Sequence, residues 1–310
     1  MGIRGINSRF DGSKNAVFVY LLLTLGTCFL LGVLAALIPG EAGNCIYRFL
    51  TAAFTIIPVL AALFTRLILK DKSSFNLSIR VWRNKKALLL CAFLPGAAIL
   101  SGAAIYYAVF PLELVPNAQA VFTYCAQYGL PAGLPINSGS ITFAAIILWL
   151  VSALAIPLHF FELGEEIGWR GFLLPKTLSF MDVKKAALLN GFLWGLAHAP
   201  LIYFGFNYGS GYWGAPVTGI ILMIVFCVCV GICMSYTMIK TNNCMYTAII
   251  HGAINAAADM QIVSVAVNKP LIGPTPAGII GMSVIVLISA FIFIRKLSNN
   301  TKRLMSCSDI

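Results

Sequence analysis

Long apolar runs dominate the sequence, and their lengths predict helices that cross a membrane. A helix needs about 20 mostly apolar residues to span the hydrocarbon core of a bilayer. Eight segments approach or exceed this length: 16–38, 46–69, 87–110, 142–161, 186–206, 215–238, 244–262 and 276–294. We therefore predict an all-α fold, a polytopic membrane bundle of about eight transmembrane helices, in one integral-membrane domain over residues 1–310.

The composition agrees with this pattern. Only 10% of the residues are charged and 60% are hydrophobic, whereas a soluble domain carries about 25% charged residues. The first apolar run, from about Ala16 to Ile38, is too long for the core of a signal peptide and indicates a retained helix. The nine cysteines include no CxxC pair, which favours small buried hydrophobes over a disulfide framework or a zinc site.

The basic residues predict the orientation of the bundle. Eight alternating helices leave only Arg48 and Lys269 on one side, and nearly all other Lys and Arg residues on the opposite side. Because cytoplasmic loops carry the excess of Lys and Arg, we expect a multi-pass protein of the cell membrane with both termini in the cytoplasm. The net charge of +11 then reflects contact with anionic membrane lipids. No basic stripe alternates with aromatics, so nucleic acid is not an expected partner.

Two further features of the chain bear on its class. Residues 111–141 contain no Lys or Arg and four prolines, which indicates a long outer loop that covers or faces a substrate. The sequence shows no internal repeat of the kind found in many transporters.

A cluster of charges follows the fourth predicted helix. Glu162, Glu165 and Glu166 fall within five positions, although the chain has only ten acidic residues. At about 100° per residue they project into one wedge of a helix, with His159 and Arg170 on or near it. Charged residues in such segments usually face a bundle interior or a watery cavity.

The spacing within this cluster suggests different roles for its carboxylates. Glu166 and Arg170 are four residues apart and form a natural ion pair. Glu165 is then the carboxylate most free to act as an acid or base. Solvated charges at the cytoplasmic end of a helix remain the alternative interpretation.

The histidines favour a functional site. His198 follows Asn190 and Trp194 at spacing four, and His251 precedes Asn255 and Asp259 at the same spacing, so each set shares one helix face. Polar groups that converge from three helices are hard to explain as packing. A carboxylate and an imidazole can hold and deprotonate a water, and a second imidazole and an amide can stabilise an oxyanion. These groups suit amide hydrolysis, and neither GxSxG nor HExxH is present.

Three motifs resemble the CPBP family of intramembrane proteases, also called the CaaX-protease, bacteriocin-processing or Abi family. The family pattern is EExxxR, FxxxH and HxxxN or HxxxB, on separate helices of an eight-helix bundle. The matching residues here are Glu165-Glu166-Ile-Gly-Trp-Arg170, Trp194-Gly-Leu-Ala-His198 and His251-Gly-Ala-Ile-Asn255. Trp194 replaces the Phe of the second motif. The resemblance covers about residues 140–260, the expected catalytic core.

The resemblance implies a role for each matched residue. Glu165 with His198 would activate the attacking water, and His251 with Asn255 would form the oxyanion site. Glu166 and Arg170 would order the end of the first motif.

The cofactor is left open between none and Zn²⁺. Family members have been described as metalloproteases, and Glu165, His198 and His251 are a possible zinc ligand set with water in the fourth position. A metal-independent glutamate mechanism is the interpretation we favour. His159 and Glu162 lie outside the family motifs, and we expect them to support the site or to lie at its interface.

The sequence thus predicts a CPBP-type intramembrane endopeptidase that cleaves a membrane-associated or lipid-anchored protein or peptide, through a cavity facing the cytoplasm. Two alternatives remain. One is a non-catalytic membrane partner on the same fold, such as a bacteriocin immunity protein or signalling regulator. The other is a transporter in which Glu165 and His198 relay protons.

Overall fold

The structure is a computed structural model that describes residues 3–114, 147, 162–258 and 269–297. Within these ranges the elements are helices and the chain forms no strand, which confirms the all-α fold class. The helices are α1 Ile3–Leu37, α2 Glu41–Ala53, α3 Ile57–Leu69, α4 Lys85–Val109, α5 Leu163–Glu166 with Ile167–Leu173 and Leu174–Leu178, α6 Val183–Ala197, α7 Ala199–Tyr203, α8 Val217–Thr241, α9 Met245–Ala257 and α10 Ser283–Arg295.

Four of these helices are long and apolar enough to cross a membrane. They comprise Gly12–Leu37 of α1, α4, the combined α6 and α7, and α8; a fifth span results if α2 and α3 are counted together. Large apolar side chains such as Phe18 and Leu22 of α1 are exposed, as expected for a surface that faces lipid. Over the described ranges the predicted count of eight is not confirmed. The predicted helix 142–161 lies outside them except for Ile147.

The predicted single helix over 46–69 is instead two helices. α2 and α3 meet at a bend of 73°, and Pro58 occupies the first turn of α3. Proline suits this position because its nitrogen has no proton to donate and the first N–H groups of a helix lack partners. α9 and α10, with 13 residues each, are also shorter than their predicted segments.

The charged cluster lies on a helix with an irregular centre. α5 is α-helical over Leu163–Glu166, π-helical over Ile167–Leu173 and α-helical again over Leu174–Leu178. A π-helical turn holds more residues than an α-helical one and often marks a functional site. Six consecutive residues of this stretch, Gly168–Leu173, are buried, so α5 runs through the interior of the bundle.

α6 carries the second predicted motif and lies next to α5, which carries the first. Asp182 caps the first turn of α6 by accepting a hydrogen bond from the backbone N–H of Lys185 at 3.0 Å. Its glycines let α8 approach closely: a methyl group on Gly191 would lie 2.6 Å from Cα of Val228. This close approach fixes α6 between α5 and α8, and directs one of its faces at the charges of α5.

Candidate active site

The four side chains predicted to carry catalysis line one cavity. It has a volume of about 210 Å³ and lies between α2, α5, α6, α7, α8 and α9. Its walls include the predicted catalytic residues Glu165, His198, His251 and Asn255. Residues separated by as many as 90 positions in the sequence therefore meet at one site.

Glu165 is held by the indole of Trp194. The Nε1–H of Trp194 donates to Oε2 of Glu165 at 2.9 Å, and the Glu165 side chain is buried. This bond occupies one of the two carboxylate oxygens. The other oxygen is available to accept a proton from a water in the cavity, which agrees with the role expected for Glu165.

The tautomer of His198 follows from its partner. Nδ1 of His198 lies 2.8 Å from the carbonyl oxygen of Trp194, and a carbonyl can only accept. Nδ1 therefore carries the proton, and a neutral His198 has its lone pair on Nε2. The same residue, Trp194, thus orients both groups that are expected to hold the attacking water.

A buried ion pair supports His251. Oε1 of Glu166 accepts from Nη1 of Arg170 at 2.8 Å and lies 3.1 Å from Nδ1 of His251. Glu166 and Arg170 are both 0% exposed, so the helical spacing of four correctly indicated this pair. The carboxylate accepts from Nδ1–H and leaves Nε2 of His251 free for the cavity, where it donates only in the imidazolium form.

Asn255 has an unexpected partner. Its Nδ2 group donates to Oε1 of the buried Glu162 at 3.0 Å. Glu162, which we expected in a supporting or interfacial role, therefore touches a predicted catalytic side chain. One of the two Asn255 amide protons remains for another acceptor. His159 and Asp259, which the sequence placed on the same helix faces, lie outside the described residues.

The shared face predicted for Asn190, Trp194 and His198 is confirmed. Nδ2 of Asn190 donates to the backbone oxygen of Trp169 at 2.8 Å, while Trp194 and His198 reach the cavity. The guanidinium of Arg170 lies over the Trp194 ring, 4.4 Å from its centroid. This cation–π contact gives the positive charge a second partner besides Glu166.

Two walls of the cavity come from parts of the chain that carry no motif and were not predicted to belong to a site. Thr51, Phe54 and Thr55 approach from the bend between α2 and α3, and residues 275–277 close another side. The ring of Phe54 lies 4.6 Å from that of His198. Pro58 marks the bend in the sequence, but nothing in the sequence indicates what the bend covers.

The proposed zinc ligands do not meet as a metal site. Throughout the described ranges, no three His, Cys, Asp or Glu side chains are arranged to hold a metal ion. Glu165, His198 and His251 line the cavity together, but their side chains are not placed to share one metal ion. The donor set as arranged here does not fit a bound metal, and no chemical step is assigned to one.

Comparison with known proteins agrees with these motifs. A family model described as type II CAAX prenyl endopeptidase Rce1-like matches residues 139–257. The chain is also similar to CAAX prenyl protease 2 of Methanococcus maripaludis, with 25% identity over 150 residues. This alignment covers 47% of the chain and 54% of that relative, so the chain matches about half the length of the archaeal protein.

The all-helical fold, the three motifs around one cavity and both matches point to the same class of protein. Over residues 139–257 the chain is similar to the CaaX protease, or CPBP, family, and its long apolar helices indicate a multi-pass membrane protein.

Proposed function

We propose that the protein is an intramembrane endopeptidase that hydrolyses a peptide bond in a membrane-associated or lipid-anchored protein or peptide. The observation that carries this proposal is the convergence of Glu165, His198 and His251 from three helices on one cavity, next to Asn255. Buried ionisable groups that surround a cavity are a common arrangement in active sites.

In the proposed reaction a water attacks the scissile carbonyl carbon. Glu165 and the Nε2 lone pair of His198 hold this water, and one of them takes its proton as the C–O bond forms. The same proton then passes to the leaving nitrogen as the C–N bond breaks. The products are a carboxylic acid and an amine, and the enzyme returns to its starting state.

His251 and Asn255 stabilise the charge that develops on the carbonyl oxygen. The imidazolium of His251 donates through Nε2, and the free amide proton of Asn255 provides a second donor. Glu166 favours this imidazolium by accepting from Nδ1, and Arg170 balances the charge of Glu166.

We further propose that the protein lies in the cell membrane with both termini in the cytoplasm. The distribution of Lys and Arg along the chain supports this orientation. Membrane lipids surround the bundle, and an anchored polypeptide is the partner that the cavity receives.

The test compares the termini of membrane proteins and peptides in cells that express wild type, Glu165→Gln or Glu41→Gln at equal levels. Glu41 is an exposed glutamate at the start of α2 and serves as the matched control. We expect particular termini with wild type and Glu41→Gln, and their loss by about 10²-fold or more in Glu165→Gln. Identical termini in all three strains would refute the peptidase. A wild-type phenotype that persists in Glu165→Gln would then identify a non-catalytic membrane partner.

A further inference from the structure

Contacts between distant segments define a basic end of the bundle. Nζ of Lys176 lies 2.6 Å from Oδ2 of Asp71, and the backbone N–H of Cys244 donates to the oxygen of Asn76 at 2.9 Å. These contacts join the loop after α3 to the end of α5 and to the start of α9. The three segments carry or adjoin Lys and Arg clusters that predict the cytoplasmic side.

A second ion pair marks the opposite end. Nζ of Lys269 lies 2.7 Å from Oε1 of Glu113, and both residues belong to segments predicted outside the cell. The hydroxyl of Tyr208 donates to the backbone oxygen of Ala277 at 2.9 Å, which joins the loop after α7 to the same region. The predicted outer segments therefore also lie together.

The mouth of the cavity is formed by residues near this second end. Thr51, Asn207 and Asn255 line the cavity and are exposed. Asn207 follows α7, and Asn255 lies at the end of α9 that is remote from Cys244. The polar, exposed part of the cavity wall is thus turned away from the basic loops.

The floor of the cavity is closed towards the basic end. Glu165 and His251 are buried, and behind them Arg170 and Trp169 have no exposed surface. The buried Asn190 side chain is bonded to Trp169. A peptide that entered from the basic end would have to displace the Glu166–Arg170 ion pair and the aromatic rings packed against it.

We infer that substrates enter the site from the end of the bundle opposite its basic loops. This inference rests on the proposed peptidase function, and it specifies the substrate class: polypeptide segments presented on the extracytoplasmic side of the membrane. It replaces the sequence-based expectation of a cavity that faces the cytoplasm. That expectation placed the first motif at the cytoplasmic end of a helix, whereas α5 begins near the mouth and ends among the basic loops.

The direct test labels single cysteines with a membrane-impermeant thiol reagent in intact and in permeabilised cells. The nine native cysteines are first replaced by alanine or serine in the full chain. Thr51→Cys and Asn207→Cys then report on the mouth, in two separate proteins. Lys72→Cys, exposed in the loop at the basic end, is the matched control.

We expect both mouth cysteines to react in intact cells, at least about 5-fold more than Lys72→Cys. The control should react fully only after permeabilisation. The opposite pattern, or equal labelling of all three positions in intact cells, would overturn the inference. Labelling does not require turnover, so this result is independent of whether the protein is a peptidase.

The termini that depend on Glu165 provide the second test. Cleavage sites within extracytoplasmic segments of membrane proteins would support entry from the outer end. Sites confined to cytoplasmic segments would refute the access route while leaving the peptidase intact. The absence of any Glu165-dependent terminus, together with labelled mouth cysteines, would refute the peptidase while leaving the position of the mouth intact.

Discussion

At the scale of single residues, Trp194 connects the ionisable groups of the site. Its indole N–H binds Glu165, its carbonyl oxygen binds Nδ1 of His198, and its ring lies beneath the guanidinium of Arg170. The short family motif has Phe at this position, and Phe provides the ring without the N–H donor. Trp194 is therefore a positioning residue specific to the Trp form of the motif.

Replacement of Trp194 by Phe should lower turnover more than substrate binding. A hydrogen bond to a charged group contributes about 1.5–3 kcal/mol, so we expect kcat to fall about 10-fold or more with little change in KM. Kinetics on a substrate identified through the Glu165 comparison provide the measurement. Trp213→Phe, at a side chain that is 84% exposed, should match wild type. An unchanged kcat in Trp194→Phe would show that the ring alone orients Glu165.

Glu162 provides a second prediction at this scale. Its Oε1 atom accepts the amide proton of Asn255, and Gln at this position keeps an oxygen that can do the same. We expect Glu162→Ala to lower kcat about 5-fold, the equivalent of one ordinary hydrogen bond of about 1 kcal/mol. Glu162→Gln should restore most of the activity. Equal losses in both variants would indicate that the negative charge of Glu162, and not its hydrogen bond, supports the site.

At the scale of the elements, the site depends on how closely α6 and α8 approach. Gly191 lies against the backbone of α8, where an added methyl group would also lie 2.8 Å from the oxygen of Cys227. Backbone atoms cannot move aside as a flexible side chain does. This contact holds the face of α6 that carries Asn190 and Trp194 against α5.

Gly191→Ala should therefore destabilise the protein, whereas Gly26→Ala should not. Overpacking of a tight contact costs about 1–3 kcal/mol, and we expect a lower temperature of thermal unfolding in detergent. Gly26 lies in α1 with no atom within 4 Å of the added methyl group, and Ala has the higher helix propensity. An equal effect of both variants would mean that α6 can move away from α8 without cost.

At the scale of the whole molecule, an ion pair at the basic end joins distant segments of the chain. Asp71 accepts from the backbone N–H of Ser73 at 2.9 Å and pairs with Lys176. Partial burial acts to raise the pKa of Asp71, but the hydrogen bonds from Lys176 and Ser73 outweigh it and lower that pKa below its ordinary value of 3.8. This carboxylate connects the loop after α3 to α5.

Asp71 should make stability depend on acid pH. The pKa of Asp71 is lowered in the folded state. The stability that Asp71 contributes is therefore fully present above the unfolded-state pKa near 3.8, and it is lost as the pH falls through the lower folded-state pKa. We expect Asp71→Asn to be less stable than wild type at pH 7, with the difference shrinking in this acidic range. Thermal unfolding from pH 7 to pH 3 measures it. Asp182→Asn, at the cap of α6, is the control, because Asp182 bonds to Lys185 of its own helix and not to a distant segment. A difference between Asp71→Asn and wild type that stayed constant with pH would contradict this role.

The sequence by itself determined the class of the fold and most members of the candidate site. Apolar runs specify helices because a buried or lipid-facing backbone must satisfy its own hydrogen bonds. The spacing of four residues correctly indicated the Glu166–Arg170 pair and the shared face of Asn190, Trp194 and His198, because helical periodicity is a local property. The three motifs led to the family, which the comparisons support.

Only the tertiary structure decided how these local elements meet. It placed the Trp194 N–H on Glu165, paired Asn255 with Glu162, and brought the bend between α2 and α3 over His198. It also separated the basic end from the mouth of the cavity. These are contacts between segments far apart in the chain, and their geometry follows from side-chain packing in three dimensions, which no periodicity along the sequence encodes.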